Sequence, residues 1–282
     1  MNASLPDILP RWLSVGRSSH LFAGLCQLIK RVRWTAAAGT LIMAAGLTFT
    51  GGIGVPAASA STCTKWATGQ EASGTQVVIN ADNWGGGNAC LNADGGADFS
   101  IASQSTPYTG RVLAYPDVNI GCSGGYCTRG SGLPVLESAA APVVTWSTVN
   151  SSPGSKFDTA LDLLFSSTPN SSPPIDAEVM VMINSSGYTA LGLPGPGSPT
   201  VTIDGSQWYY KYRTTGSWPL TQFAAVTNED SVSDLALAPF LAYANGLGAL
   251  PSSLSLVQLC AGNELWQGGT GLGTTSLRVS GL

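Results

Sequence analysis

Histidine is all but missing from this chain of 282 residues: the one copy, His20, lies in an N-terminal stretch that reads as a leader. A mature protein without imidazole cannot use Ser-His-Asp or Cys-His nucleophiles, His-based zinc sites or His general bases. Proton transfer, if the protein is an enzyme, must run through carboxylates, Lys or Tyr. Cations are scarce too. Five of the 12 Lys and Arg (Arg11, Arg17, Lys30, Arg31 and Arg33) fall in the leader, so seven face 15 Asp and Glu beyond it. Such an acidic surface repels polyphosphates, which argues against nucleic acid and for neutral ligands. Internal repeats are lacking, and the Ser/Pro-rich patches Ser151–Ser155 and Ser166–Pro174 have hairpin-loop rather than linker length.

The leader consists of those basic residues, an apolar run from Trp34 to about Thr50 and the small residues Ala58-Ser59-Ala60. This is the pattern of a signal peptide over residues 1–60, cleaved near Ala60, with a secreted mature part from 61 to 282. An apolar core of about 17 residues is close to the lower limit of a membrane span, so an uncleaved anchor is the alternative. The expectation is a monomer of one domain with no stable membrane association once the leader is removed.

Five cysteines remain after Cys26 of the leader, and export favours disulfides. Cys122 and Cys127 enclose a tight Ser-Gly-Gly-Tyr segment, and a Cys63–Cys90 bond would tie down the first strand, so these two pairs are expected. Cys260, among Leu256, Val257 and Leu259, reads as a buried free thiol.

Turn formers recur every few residues, separated by short β-branched or alternating stretches. The reading is all-β: a two-sheet antiparallel β-sandwich with one short helix, placed over Val232–Gly246. Within it, Ala177–Asn184 alternates, so Glu178, Met180 and Met182 share one face and Val179, Val181 and Ile183 the other. The aliphatic face belongs to the core, which sets Glu178 on the opposite face as a solvated carboxylate on a cleft floor or, in the ordinary reading, on a plain exterior. Glu264 follows an apolar strand and precedes a glycine-rich turn, with Trp266 placed to desolvate it; a loop Glu at a hairpin end is the alternative. Asp162, in an apolar strand, needs a partner; Glu178 on a neighbouring strand is one, and a backbone amide or an Arg is the alternative. Asn83 and Trp84 offer an amide and a flat ring for a pyranose, although an indole folded onto the core fits equally well.

In order and spacing, Asn83-Trp84-Gly85, the Cys122–Cys127 loop, Asp162, Glu178-Val179-Met180-Val181 and Gly262-Asn263-Glu264 resemble glycoside hydrolase family 12 across nearly the whole mature chain. The resemblance implies a β-jelly roll whose concave face holds a glucan cleft, and a secreted endo-β-1,4-glucanase acting by retention. It makes Glu178 the nucleophile, Glu264 the acid/base, Asp162 the partner of the nucleophile, and Asn83, Trp84, Met180, Met182 and Trp266 the substrate contacts, with no metal or organic cofactor. Retention implies carboxyl groups about 5–6 Å apart. The sequence departs from the family where Met182 replaces a cleft Trp, where Leu161 and Leu164 replace aromatics around Asp162, and where Leu265 replaces a Pro. Those departures lead to the expectation that soluble or branched β-glucans are preferred to crystalline cellulose. A xyloglucan or other hemicellulose endohydrolase, a non-catalytic lectin-like module and an exported structural protein are the competing readings.

Overall fold

The computed structural model describes Cys63 and residues 67–71, 73–93, 95–215 and 217–282, so the expected leader lies outside the described residues. Two β-sheets pack face to face. Along the larger sheet the strands run, edge to edge, Ala67–Gln70, Gln76–Asn80, Asp117–Ser123, Ser255–Gln267, Lys156–Ser166, Ala177–Ser185, Trp218–Ala225, Ser206–Thr215 and Thr200–Ile203. Two short strands, Tyr126–Cys127 and Val135–Leu136, pair beside this row. The smaller sheet runs Ser231–Ala236, Val143–Val149, Gly273–Ser280, Phe99–Ser103 and Cys90–Ala93. This is the two-sheet sandwich expected from the turn spacing, in the jelly-roll form that the family resemblance implies.

Alternation explains which face meets which. Val179, Val181 and Ile183 join the main core with Trp146 of the smaller sheet and Phe240 of the helix, whereas Met180 and Met182 pack in a second cluster on the other face. A strand buried on both faces is the signature of a sheet with a core beneath it and a floored cleft above.

The structure corrects four expectations. The sheets are not wholly antiparallel: Ala177–Ser185 and Trp218–Ala225 pair in parallel. After Ser185 the chain crosses to the edge strand Thr200–Ile203 and returns through two hairpins, so it arrives beside Ala177–Ser185 in the same direction. The helix is shorter than expected, Ala238–Gly246, because Val232 and Leu235 pair as strand with Trp146 and Val144. Pro239 belongs in a first helical turn and disfavours helical backbone just before it, which places the start there. The disulfides Cys63–Cys90 and Cys122–Cys127 are present as expected. Cys260 is not a free thiol, since none of the described cysteines is free. The fourth correction, the burial of Glu178, belongs to the site described next.

Candidate active site

The strand Lys156–Ser166 lies between the strand that carries Glu178 and the one that carries Glu264. Its register sets Met180 opposite Asp162 and Glu178 opposite Leu164 on one side, and Glu264 opposite Asp158 on the other. Because side chains alternate, all four acids emerge on the same face of the larger sheet. Glu264 stands inside the long strand Ser255–Gln267, not on a hairpin loop. A cavity of about 220 Å³ collects Glu178, Glu264, Met180, Trp84, Trp266, Gln222 and Arg213. Wider hollows, about 610 and 600 Å³, lie elsewhere and touch neither glutamate, so chemistry and not size selects this one.

Two glycines make the geometry possible. A Cβ on Gly262 would lie 2.1 Å from the Pro116 carbonyl oxygen, so only glycine lets the strand approach its neighbour two residues before Glu264. A Cβ on Gly85 would lie 2.1 Å from the Val112 carbonyl oxygen. That close approach, with hydrogen bonds from Gly85 and Gly87 N–H to the Leu113 oxygen and from Leu113 N–H to the Leu265 oxygen, seats Trp84 against the Glu264 strand.

Burial dominates the electrostatics. Glu178 and Glu264 are 4% and 8% exposed, which corrects the expectation of a solvated carboxylate at Glu178. Desolvation raises Glu178 to about 7, against the lowering effects of a Trp218 hydrogen bond, an Asp162 hydrogen bond and the Arg213 charge. The Trp218 indole N–H donates to Glu178 Oε2 at 2.8 Å. Glu264 also rises to about 7, chiefly by desolvation; a hydrogen bond with Asp158 and the charge of Arg213 oppose the rise, and the charge of Glu178 adds to it. Desolvation likewise pushes Asp158 and Asp162 well above the usual carboxylate range, with Glu264 and Glu178 respectively as the next cause. Asp82 and Asp117, behind Glu264 and Asp162, are raised by burial too.

This arrangement can hold protons at neutral pH on carboxyl groups, and it treats the two glutamates unequally. The Trp218 N–H and Asp162 both favour the anion of Glu178, whereas Glu264 has Asp158 on one side and the opposing charge of Glu178 on the other.

The expected substrate contacts divide. Trp84, Met180 and Trp266 line the cavity, and the Trp84 indole N–H is buried without a hydrogen-bond partner among the described residues. Asn83 is committed to the loop: its amide donates to the Ala89 oxygen at 3.0 Å and accepts from Ala89 N–H at 2.8 Å. Met182 is fully buried, packed with Tyr188 and Leu193 of the segment that follows its strand, and does not line the cavity. Leu164 is buried against Trp218. Sequence reasoning missed Arg213, Gln222, Trp218 and Asp158. Tyr209, Lys211 and Arg213 alternate along Ser206–Thr215, and Asp158 shares the period of Asp162, but neither signal has meaning until the register is known.

No family model and no curated protein sequence matches the chain. Solved structures do. A metagenome-derived glycoside hydrolase family 12 endoglucanase is 28% identical with a TM-score of 0.68, covering 78% of this chain and 96% of that one. An endoglucanase from Rhodothermus marinus is 28% identical with a TM-score of 0.69, over 78% of this chain and 98% of that one. A family 12 xyloglucanase from Bacillus licheniformis shares the fold at 22% identity and a TM-score of 0.66, covering 79% of this chain and 99% of that one. By fold, and by an identity that runs nearly the full length of two endoglucanases, the chain is a structural relative of the family 12 glycoside hydrolases of cellulase type.

Proposed function

We propose that the protein is an exported, retaining endo-β-1,4-glucanase whose catalytic unit spans residues 61 to 282, with Glu178 as nucleophile, Glu264 as acid/base and Asp162 as the partner of the nucleophile. The observation that carries this reading is a pair of buried glutamates on one sheet face, in one cavity, each with a buried aspartic acid acting on it from the strand between them, and with the charge of Glu178 acting on Glu264. The Rhodothermus marinus and metagenome-derived relatives supply the substrate class, a β-glucan.

In the first half of the reaction Glu178 attacks the anomeric carbon while Glu264 gives its proton to the departing oxygen, leaving a glycosyl-enzyme. Glu264, now a base, takes a proton from water, which attacks the same carbon from the opposite side and restores both groups. Trp218 and Asp162 stabilise the Glu178 anion before attack and when it is released. Burial keeps the Glu264 proton in place near neutrality, where a solvated glutamic acid would have lost it. Trp84 and Trp266 offer apolar faces to the sugar rings, and Gln222 and Arg213 offer polar atoms to its rim.

Purified protein should release reducing ends from carboxymethyl cellulose or mixed-linkage glucan, with xyloglucan and arabinoxylan assayed in parallel. Proton NMR of the early product should show the β-anomer first. If the α-anomer appears first, retention is wrong; if the glucan binds without cleavage, the protein is a lectin-like module.

A further inference from the structure

Each glutamate has a buried aspartic acid beside it, and only the one beside Glu178 has a role in the reading above. Asp158 is fully buried and stands directly opposite Glu264 in the register. Neither oxygen of its buried carboxyl meets an ordinary donor among the described residues, and the neighbour that acts on it is Glu264, whose side chain raises it and whose backbone N–H opposes the rise. Two carboxyl groups can hydrogen-bond only if one carries a proton. Asp158 is sealed from solvent, whereas Glu264 opens on the cavity, so the ionised form is less costly on Glu264 and the shared proton rests on Asp158.

The geometry points to Asp158 as a positioning residue for Glu264: a buried carboxylic acid whose O–H is aimed at the Glu264 carboxyl, steadying the anion that forms when Glu264 gives up its proton. This rests on the proposed role of Glu264. A single strand, Lys156–Ser166, then serves both glutamates, handing Asp162 to Glu178 on one side and Asp158 to Glu264 on the other. In the glycosylation step the Glu264 proton passes to the leaving oxygen and Asp158 keeps its own. In the second step Glu264 takes a proton from water, and Asp158 is again unchanged. The titratable groups facing the pair are Glu178, Asp82, Asp162, Arg213, Tyr115 and Tyr188. Of these, Arg213 lowers Glu264 and Glu178 raises it, so the Asp158 bond adds to the effect of Arg213.

The test compares Asp158→Leu, which removes the donor, with Asp158→Asn, which keeps one as an amide. The alkaline limb of the kcat/KM profile on mixed-linkage glucan, which reports the acid, should move up by about one pH unit in Asp158→Leu, the size of one hydrogen bond to a charged group. KM should change little, and Asp158→Asn should restore the wild-type limb. A limb that stays in place in Asp158→Leu, or moves down in both variants, overturns the proposal, the second result because it means that Asp158 was ionised. A measurement on the wild type needs neither turnover nor a folded variant: carbon NMR of carboxyl-labelled aspartate and glutamate should find Asp158 protonated at pH values where Glu264 has ionised. The reverse order overturns the proposal. If the wild type cleaves no glucan, the glucanase reading fails, and the same titration still decides whether Asp158 holds the proton beside Glu264.

Discussion

Replacing Glu178 with Gln should make the protein more stable and nearly inactive, and the stability gain should depend on pH. Burial raises the Glu178 carboxyl from 4.5 to about 7. One pKa unit is worth about 1.4 kcal/mol, so ionising this group costs about 3 kcal/mol more in the folded protein than in the unfolded chain. The folded pKa is the higher one, so the stabilising effect is complete below pH 4.5 and is lost as pH rises through about 7. At about pH 8 the wild type bears the full cost of the buried charge. The amide of the Glu178→Gln variant never ionises, can still accept from the Trp218 N–H, and avoids that cost. A domain of roughly 200 residues gains about 2–4 °C per kcal/mol, so Glu178→Gln should raise Tm by about 6–12 °C near pH 8 and by very little near pH 4. Calorimetry of both proteins at the two pH values measures the difference, and effects of all other titrating groups cancel between them. Glucanase activity should fall by about a thousandfold or more with loss of the nucleophile. A gain of equal size at both pH values would show that packing, not charge, is responsible. No gain near pH 8 would refute the argument from burial.

Glu264→Ala should lose most activity on polymeric glucan, and on an aryl β-cello-oligosaccharide, whose phenolate leaves without a proton, azide should restore turnover and give a β-glycosyl azide on product NMR, whereas an azide product of α configuration is expected from Glu178→Ala. Met182→Trp should not alter the ratio of xyloglucan to cellulose activity: the ring would be forced into a filled core, lowering stability by about 1–3 kcal/mol in chemical denaturation. Gly262→Ala should lower both Tm and kcat, because its Cβ would meet the Pro116 carbonyl oxygen at 2.1 Å and push the Glu264 strand off its neighbour; a variant with normal Tm and kcat would contradict that reading.

The legible parts of the molecule were those in which one strand carries the whole signal. Ala177–Ser185 alternates aliphatic and other residues, so the face of Glu178 could be read without knowing its neighbours, and the core confirms the assignment. Its burial could not be read, because the shielding comes from Trp218, 40 residues away in sequence. Asp117–Ser123 went unseen as a strand. It contains Gly121 at φ 116°, a backbone conformation that weakens a strand pattern, and a Cβ there would lie 2.3 Å from the Val257 oxygen, a constraint imposed by a strand far along the chain. Cleft aromatics illustrate the same limit. Met182 and Leu164 share the face of Glu178 by period, yet Tyr188 with Leu193, and Trp218, cover them, so a face shared in sequence is not a surface shared in the fold. Arg213 was hidden for a different reason: it acts on the glutamates from a strand two places from that of Glu178 and four from that of Glu264, where only sheet order gives it meaning.

The lack of histidine beyond residue 60 and the burial of so many acids are two sides of one arrangement. Imidazole can accept and release a proton near neutrality while exposed to water, but a carboxylic acid does so only when its charged form is penalised. Burying one carboxyl supplies that penalty and creates a second difficulty, since an unpartnered buried charge is costly. Partnering it with a cation would push its pKa down again and waste the burial. Partnering it with another buried carboxyl satisfies the hydrogen bond while keeping a proton in the site, and Asp162 and Asp158 stand where such partners are needed. Arg213 limits the effect, since without one positive charge near both glutamates neither would ionise readily near pH 7. Of the acids on this face, the two that open on the cavity are the two held near 7, while those sealed beneath them are held well above the carboxylate range. Exposure therefore sorts the acids into those placed to exchange protons with a substrate and those that hold protons for their neighbours, and the sorting follows from the register of four adjacent strands.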